Sequence, residues 1–255
     1  MHATATPRIK RAALTLTLGA ATAAATLGLA ACGTLAGSDS GSTPPKKKTI
    51  ADLTGPQIAN KALAATKSAT SLTMALDGKV DGDDMTFRMS LDKKGDCTGR
   101  FETSDGDIQL LKVGDTAYLK FDDAYWKSQG KDGEAAKTLI AGRWMKTKAT
   151  GSDAKDLTSA CDLSEALSDF EGDDNVAKKG ALTTVGGTPA ITLTESDGTE
   201  HYTMYVATKG KPYILKLVTK GGKEPGTVTL SGFNKPVGAK APAAKDAVDL
   251  DKLGG

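Results

Sequence analysis

The sequence predicts an α+β protein built on one large curved antiparallel sheet of about ten strands, with helices on its concave side. Three observations carry that expectation. Apolar residues recur with a period of two in short stretches from Leu72 to Leu230, and Gly, Asp or Gly-Pro breaks separate the stretches. The regular strand–helix alternation that a parallel sheet needs does not appear.

A helix opens the domain. Thr54-Gly55-Pro56 supplies an N-cap and a proline near the first turn, and Ile58, Ala62, Leu63, Ala65 and Ala69 follow at helical spacing. The period then switches to two: Leu72, Met74, Leu76; Met85, Phe87, Met89, Leu91; Cys97, Gly99, Phe101. Turn residues at Asp77-Gly78 to Asp83-Asp84 and at Lys93-Lys94-Gly95 make these three strands antiparallel neighbours. Ile108 to Val113 and Ala117 to Phe121 form a further hairpin across Gly114-Asp115. The middle differs in texture. Asp122 to Ala141 carries Trp126 and helix formers, Arg143 to Lys148 reads as a short strand, and Asp162 to Phe170 reads as a helix with Leu163, Leu167 and Phe170 on one face. Strand signals resume at Val176 to Val185, Ala190 to Glu195, His201 to Ala207, Tyr213 to Thr219 and Thr227 to Leu230.

The N-terminus sets the compartment. Arg8, Lys10 and Arg11 precede a small, apolar run from Ala12 to Leu29, which ends in Leu29-Ala30-Ala31-Cys32. That tetrad reads as a lipobox: 1–31 as a lipoprotein signal peptide, and Cys32 as the thiol that takes a diacylglycerol thioether. A spanning anchor fits less well, because about 20 strongly apolar residues are needed and Thr15, Thr17, Thr22 and Thr26 dilute the run. The organisation that follows is a lipidated cysteine and flexible tether at 32–48, one single-core domain at 49–236 and a polar tail at 237–255. The tether would place the domain roughly 20 Å from its lipid. Lys46 to Lys48 either keep it solvated or touch anionic headgroups.

Removal of the leader takes three basic residues and no acidic ones, leaving 30 Lys+Arg against 31 Asp+Glu, a net charge of −1 in place of +2. With lysines and acids interspersed, nucleic acid is not an expected partner. Two cysteines remain, Cys97 and Cys161, an even number suited to an oxidising space. One structural disulfide is the expected pairing; it closes a loop of about 65 residues, worth about 4 kcal/mol in the chain-entropy model.

Cys97-Thr98-Gly99, Val113 to Lys120, Gly142-Arg143-Trp144-Met145, Val185 to Ala190 and Gly210 to Leu215 together resemble actinobacterial cell-envelope lipoproteins of the LppX and LprG type. In layout the chain is similar, more remotely, to the LolA and LolB carriers. The resemblance covers most of 49–236 and rests on spacing and turns. It implies a half-barrel of antiparallel strands wrapped around helices and enclosing an apolar cavity for acyl chains.

Met74, Met85, Met89 and Met204 fall on alternating strands, where an unbranched thioether adapts to irregular shapes. Together with Leu72, Phe87, Phe101, Leu119 and Leu217 they are the candidate cavity lining, and filling of an ordinary core is the competing reading. Trp126 and Trp144 flank the helical middle and either guard a cavity mouth or close a core. Catalytic signals are absent: His201 is the one histidine of the mature chain, it reads as a half-exposed strand residue, and no nucleophile elbow, phosphate loop or zinc motif appears. Asp83/Asp84 and Asp173/Asp174 lie in turn-like surroundings and do not fit an EF-hand loop. No metal or cofactor is expected. The expectation is therefore a non-enzymatic, lipid-anchored protein on the outer face of the cytoplasmic membrane that holds a lipid or acyl chain. The alternative is an envelope sensor or protein-interaction module on the same fold.

Overall fold

The computed structural model describes residues 49–151, 154–170 and 177–252. The leader, Cys32 and the tether therefore lie outside the described residues, as do Val176 and the Asp173/Asp174 pair.

Thr54 starts helix α1 (Gly55–Ser68) through a reciprocal capping box: its Oγ1 accepts from the Gln57 N–H and the Gln57 Oε1 accepts from its own N–H at 3.1 Å. The helix buries Ile58, Ala59, Ala62 and Thr66. Strands β1 (Ser71–Val80) and β2 (Asp83–Asp92) follow as a hairpin, joined by Asp81 and Gly82, both with positive φ as the tight primed turn requires. Then come β3 (Cys97–Thr103), β4 (Gly106–Val113) and β5 (Thr116–Phe121).

The helical middle comprises α2 (Asp123–Ser128) and α3 (Gly130–Ile140), separated at Gln129, and leads to β6 (Trp144–Lys148). Two short helices come next, α4 (Lys155–Ser159) and α5 (Leu163–Ala166). The expected helix over 162–170 is thus shorter: Asp162 caps α5 by accepting from the Ser164 and Glu165 N–H groups, and after Leu167 the chain tightens into a 3₁₀ turn at Ser168–Phe170. Strands β7 (Lys178–Val185), β8 (Thr188–Asp197), β9 (Glu200–Ala207), β10 (Ile214–Lys220) and β11 (Gly226–Ser231) complete the expected set.

A twelfth strand was not anticipated. Residues 237–255, read as a polar tail, supply β12 (Ala247–Asp249), which lies parallel to β6 with Val248 opposite Met145. The sheet order is β12-β6-β5-β4-β3-β2-β1-β11-β10-β9-β8-β7. Every pairing except β12–β6 is antiparallel, so the sheet is two meanders fused along the β1–β11 seam. At that seam Gly78 opposes Gly226, and a Cβ on Gly78 would lie 2.6 Å from the Gly226 Cα; the two strands can approach this closely only without side chains. One large apolar cluster fills the space between the concave face and the helices, joining Ile58 and Ala62 of α1 and Leu163, Leu167 and Phe170 of the α5 region to strand residues such as Leu72, Leu91 and Leu110. Among the described residues no helix is long and apolar enough to cross a membrane.

Candidate functional site

Strand register sorts the concave face into rows about 7 Å apart, two residues along each strand. The first pairs Leu72 with Leu91 and Leu91 with Cys97. The second runs Met145, Leu119, Leu110, Gly99, Met89, Met74, Leu230. The third crosses nine strands: Phe121, Ile108, Phe101, Phe87, Leu76, Val228, Leu217, Met204, Leu193. In the fourth, Met85 opposes Gly78, and Thr219, Tyr202 and Glu195 continue it.

Burial falls along that series. Leu72, Leu91 and Cys97 are sealed at 0–1% exposure, and Met74, Met89, Leu110, Leu119 and Leu230 are buried. In the third row Phe101 and Leu193 are buried, whereas Phe87, Leu76, Val228, Leu217 and Met204 are half-buried. Met85 is half-buried beside polar neighbours. The nine candidate lining residues therefore share one face and divide in two: Leu72, Met74, Met89, Phe101 and Leu119 lie inside the packed cluster, and Met85, Phe87, Met204 and Leu217 lie on its half-open side. Phe87 and Phe101 bridge the two groups, with ring centroids 5.8 Å apart.

The sealed end is held by specific contacts. Cys97 on β3 is disulfide-bonded to Cys161 between α4 and α5, with Cα atoms 5.5 Å apart. The Thr66 Oγ1 of α1 accepts from the buried Ile214 N–H at 3.0 Å. The Thr158 hydroxyl of α4 donates to the Ala149 carbonyl at 2.7 Å. At the open end, by contrast, Tyr202 donates its hydroxyl to Glu200. That bond, with burial and the charges of Glu200, Asp197 and Glu195 adding to it, pushes the phenol up to about 12.

The tryptophans do not form a pair. Trp126 is buried with Ile140 of α3 and Val248 of β12 in a second, smaller cluster, against which Phe121 and Met145 pack. Trp144 is half-buried at the start of β6, opposite Ala247. The involvement of Val248 had no sequence signal, because a three-residue strand in a polar stretch has no measurable period.

A groove of about 950 Å³ lies at the sealed end, where Lys93, Lys94, Lys112, Lys155, Asp115 and Glu165 rim a floor that includes Ala149, Leu163 and Leu167. A depression of about 940 Å³ beside the β1–β2 turn includes Met85 and Gly78 at the open end. His201 is exposed rather than half-exposed, and its Nδ1 lies 2.9 Å from the Ser196 hydroxyl directly across the β8–β9 pair. Among the described residues, no group of three His, Cys, Asp or Glu side chains is arranged to hold a metal ion.

No family model and no curated protein matches the chain. Solved structures do, and they show the fold: the chain is an open α+β half-barrel similar to one already seen in a mycobacterial protein. The particular structure that supports this is LprF from Mycobacterium bovis, at TM-score 0.51 and 11% identity over 74% of this chain and 97% of LprF. LppX from Mycobacterium tuberculosis has TM-score 0.47 and 18% identity over 72% of this chain and 97% of its own. MucB, solved in complex with MucA(peri), has TM-score 0.32 and 13% identity over 75% of this chain and 58% of its own.

Proposed function

We propose that this protein is a lipid-anchored extracytoplasmic lipoprotein, tethered through Cys32 to the outer face of the cytoplasmic membrane, that holds a lipid or acyl chain against the half-open part of its concave face. The observation that carries the reading is the third row. Apolar side chains line up across nine strands and those in the middle, Phe87, Leu76, Val228, Leu217 and Met204, are incompletely covered. The mechanism is burial rather than chemistry, since each methylene taken from water contributes about 0.8 kcal/mol and a long chain binds without polar recognition. Methionines at Met85 and Met204 adapt to a flexible ligand. A lipoprotein-type fold, shared with LprF, supports the reading.

Native mass spectrometry after mild extraction tests it. Lipid should accompany the folded wild-type protein and leave the Leu217→Glu variant, which puts a charge into the row. Folded wild-type protein that carries no lipid and takes none up from vesicles sinks the proposal.

The second reading, a protein-interaction module, is favoured by one observation. Edge strand β7 is exposed along nearly all its length, with Leu182 at 68%, and an open edge can accept a partner strand. A lipid-free protein that still captures an envelope partner would support this reading instead.

A further inference from the structure

The two ends of the sheet differ in charge, and the described body begins at one of them. The end that carries the β2–β3 and β9–β10 turns and the C-terminus of α1 exposes Lys61, Lys93, Lys94, Lys209, Lys211 and Lys235. Two carboxylates at this end satisfy the turns: Asp92 accepts from the Lys94 and Asp96 N–H groups, and Asp96 from the Gly114 N–H. Asp115, Asp162 and Glu165 are exposed acids of the neighbouring groove, fewer than the lysines. The opposite end, at the β1–β2, β3–β4, β8–β9 and β10–β11 turns, exposes Asp81, Asp83, Asp84, Asp105, Asp197 and Glu224 against Lys220 and Lys223.

Two further observations coincide at the basic end. Thr49, where the described body begins, shares a groove of about 530 Å³ with Lys61 and with Thr208, Gly210 and Pro212 of the β9–β10 turn. Tyr213 and Phe233 stack with centroids 4.0 Å apart, both half-buried, between Lys211 and Lys235. Lysines around amphipathic aromatics form the combination that settles at a headgroup layer.

We propose that this basic end, centred on Lys209 and Lys211, docks the domain on an anionic lipid surface. Lysines near such a surface each contribute attraction that fades within a Debye length, and the acidic end is repelled, so the docked domain has one orientation. The tether confines the domain to the layer in which that attraction acts. The inference is independent of lipid uptake into the concavity, which the mass measurement reads separately.

The test uses the chain from Gly33 to Gly255, which keeps the whole described body and lacks leader and lipid. Its association with phosphatidylglycerol-containing vesicles is compared with that on neutral phosphatidylcholine vesicles by co-sedimentation. Binding should require the anionic lipid and be lost near 1 M salt. The Lys209→Glu/Lys211→Glu pair should weaken it on the order of tenfold or more, while Lys220→Glu/Lys223→Glu at the opposite end should leave it unchanged. Alanines at Lys46, Lys47 and Lys48 should leave the Lys209/Lys211 effect in place. Equal binding to both vesicle types overturns the proposal, as does equal loss from the two glutamate pairs, or binding that depends on the tether lysines alone. Capture of polyglutamate with no vesicle binding also overturns it and assigns the surface to an acidic protein.

Discussion

Leu72 and Leu91 face each other near one end of the β1–β2 pair at 1% and 0% exposure, while Leu76 and Phe87, opposed on the same two strands and the same face, are half-buried. All four side chains are large and apolar. They differ in what they pack with: the first pair lies inside the buried cluster that includes Ile58 of α1 and Leu163 of α5, beside the Cys97–Cys161 bond that ties the α4–α5 region to β3, whereas Phe87 of the second pair packs at the half-buried margin of that cluster. Alternation along a strand thus assigns a residue to a face, and only the elements laid on that face decide whether it becomes core or lining.

The sealed pair depends most on the disulfide. Cys97→Ser should cost about 4 kcal/mol in urea unfolding, by releasing a long loop in the unfolded chain and the cover in the folded one; a loss below about 1 kcal/mol would mean that the helices seal the end unaided. Next comes a matched pair of truncations. Leu91→Ala should cost about 3 kcal/mol and Leu217→Ala about 1 kcal/mol, because the half-buried site loses less contact and leaves a smaller cavity. Equal costs would erase the distinction between sealed and open halves. Thr66→Val removes the acceptor of the buried Ile214 N–H and should cost about 2 kcal/mol, read from the same unfolding curves.

Two titrations sharpen the picture at smaller scale. Tyr202 marks the open end: by ultraviolet absorbance it should ionise near pH 12, and Glu200→Gln should bring it back toward about 10. Its folded value exceeds its unfolded one, so the stabilisation it lends is fully present below about pH 10 and disappears as pH rises through 12. The other group pins the tail. Lys146 Nζ donates to Asp249 Oδ2 at 2.8 Å, which holds the Asp249 carboxyl below the usual range and raises Lys146. The support that Asp249 gives is therefore fully present above about pH 4 and lost as pH falls through its lowered value. Hydrogen exchange should show β12 losing protection in acid before β1 does, and Asp249→Asn should remove the pH dependence.

Local signals in the sequence were legible because local physics writes them. Thr54-Gly55-Pro56 marks the start of α1, the turn residues between 77 and 84 mark the first hairpin although β1 runs on through Gly78 to Val80, and an even pair of cysteines meets in one bond. The exact rows were not legible, since the third row depends on Leu76 meeting Val228 across the seam, a register set by residues far apart in the chain. β12 left no period to read, and Lys155–Ser159 is a five-residue helix with a single buried side chain, Thr158. The tail joined the sheet through parallel pairing and Val248, which fills the Trp126 cluster from a stretch otherwise rich in Lys, Asp and Ala.

The β1–β11 seam also imposes an order in time. Met74 meets Leu230 across it, and a chain that emerges N-terminus first presents β1 well before β11. During that interval β1 can zip to β2, but its other edge stays bare and Leu76 has no Val228 beside it. The half-barrel therefore spends its youth as an incomplete meander with an adhesive margin, and a chaperone able to shield a single strand edge would protect it until its own distant partner arrives.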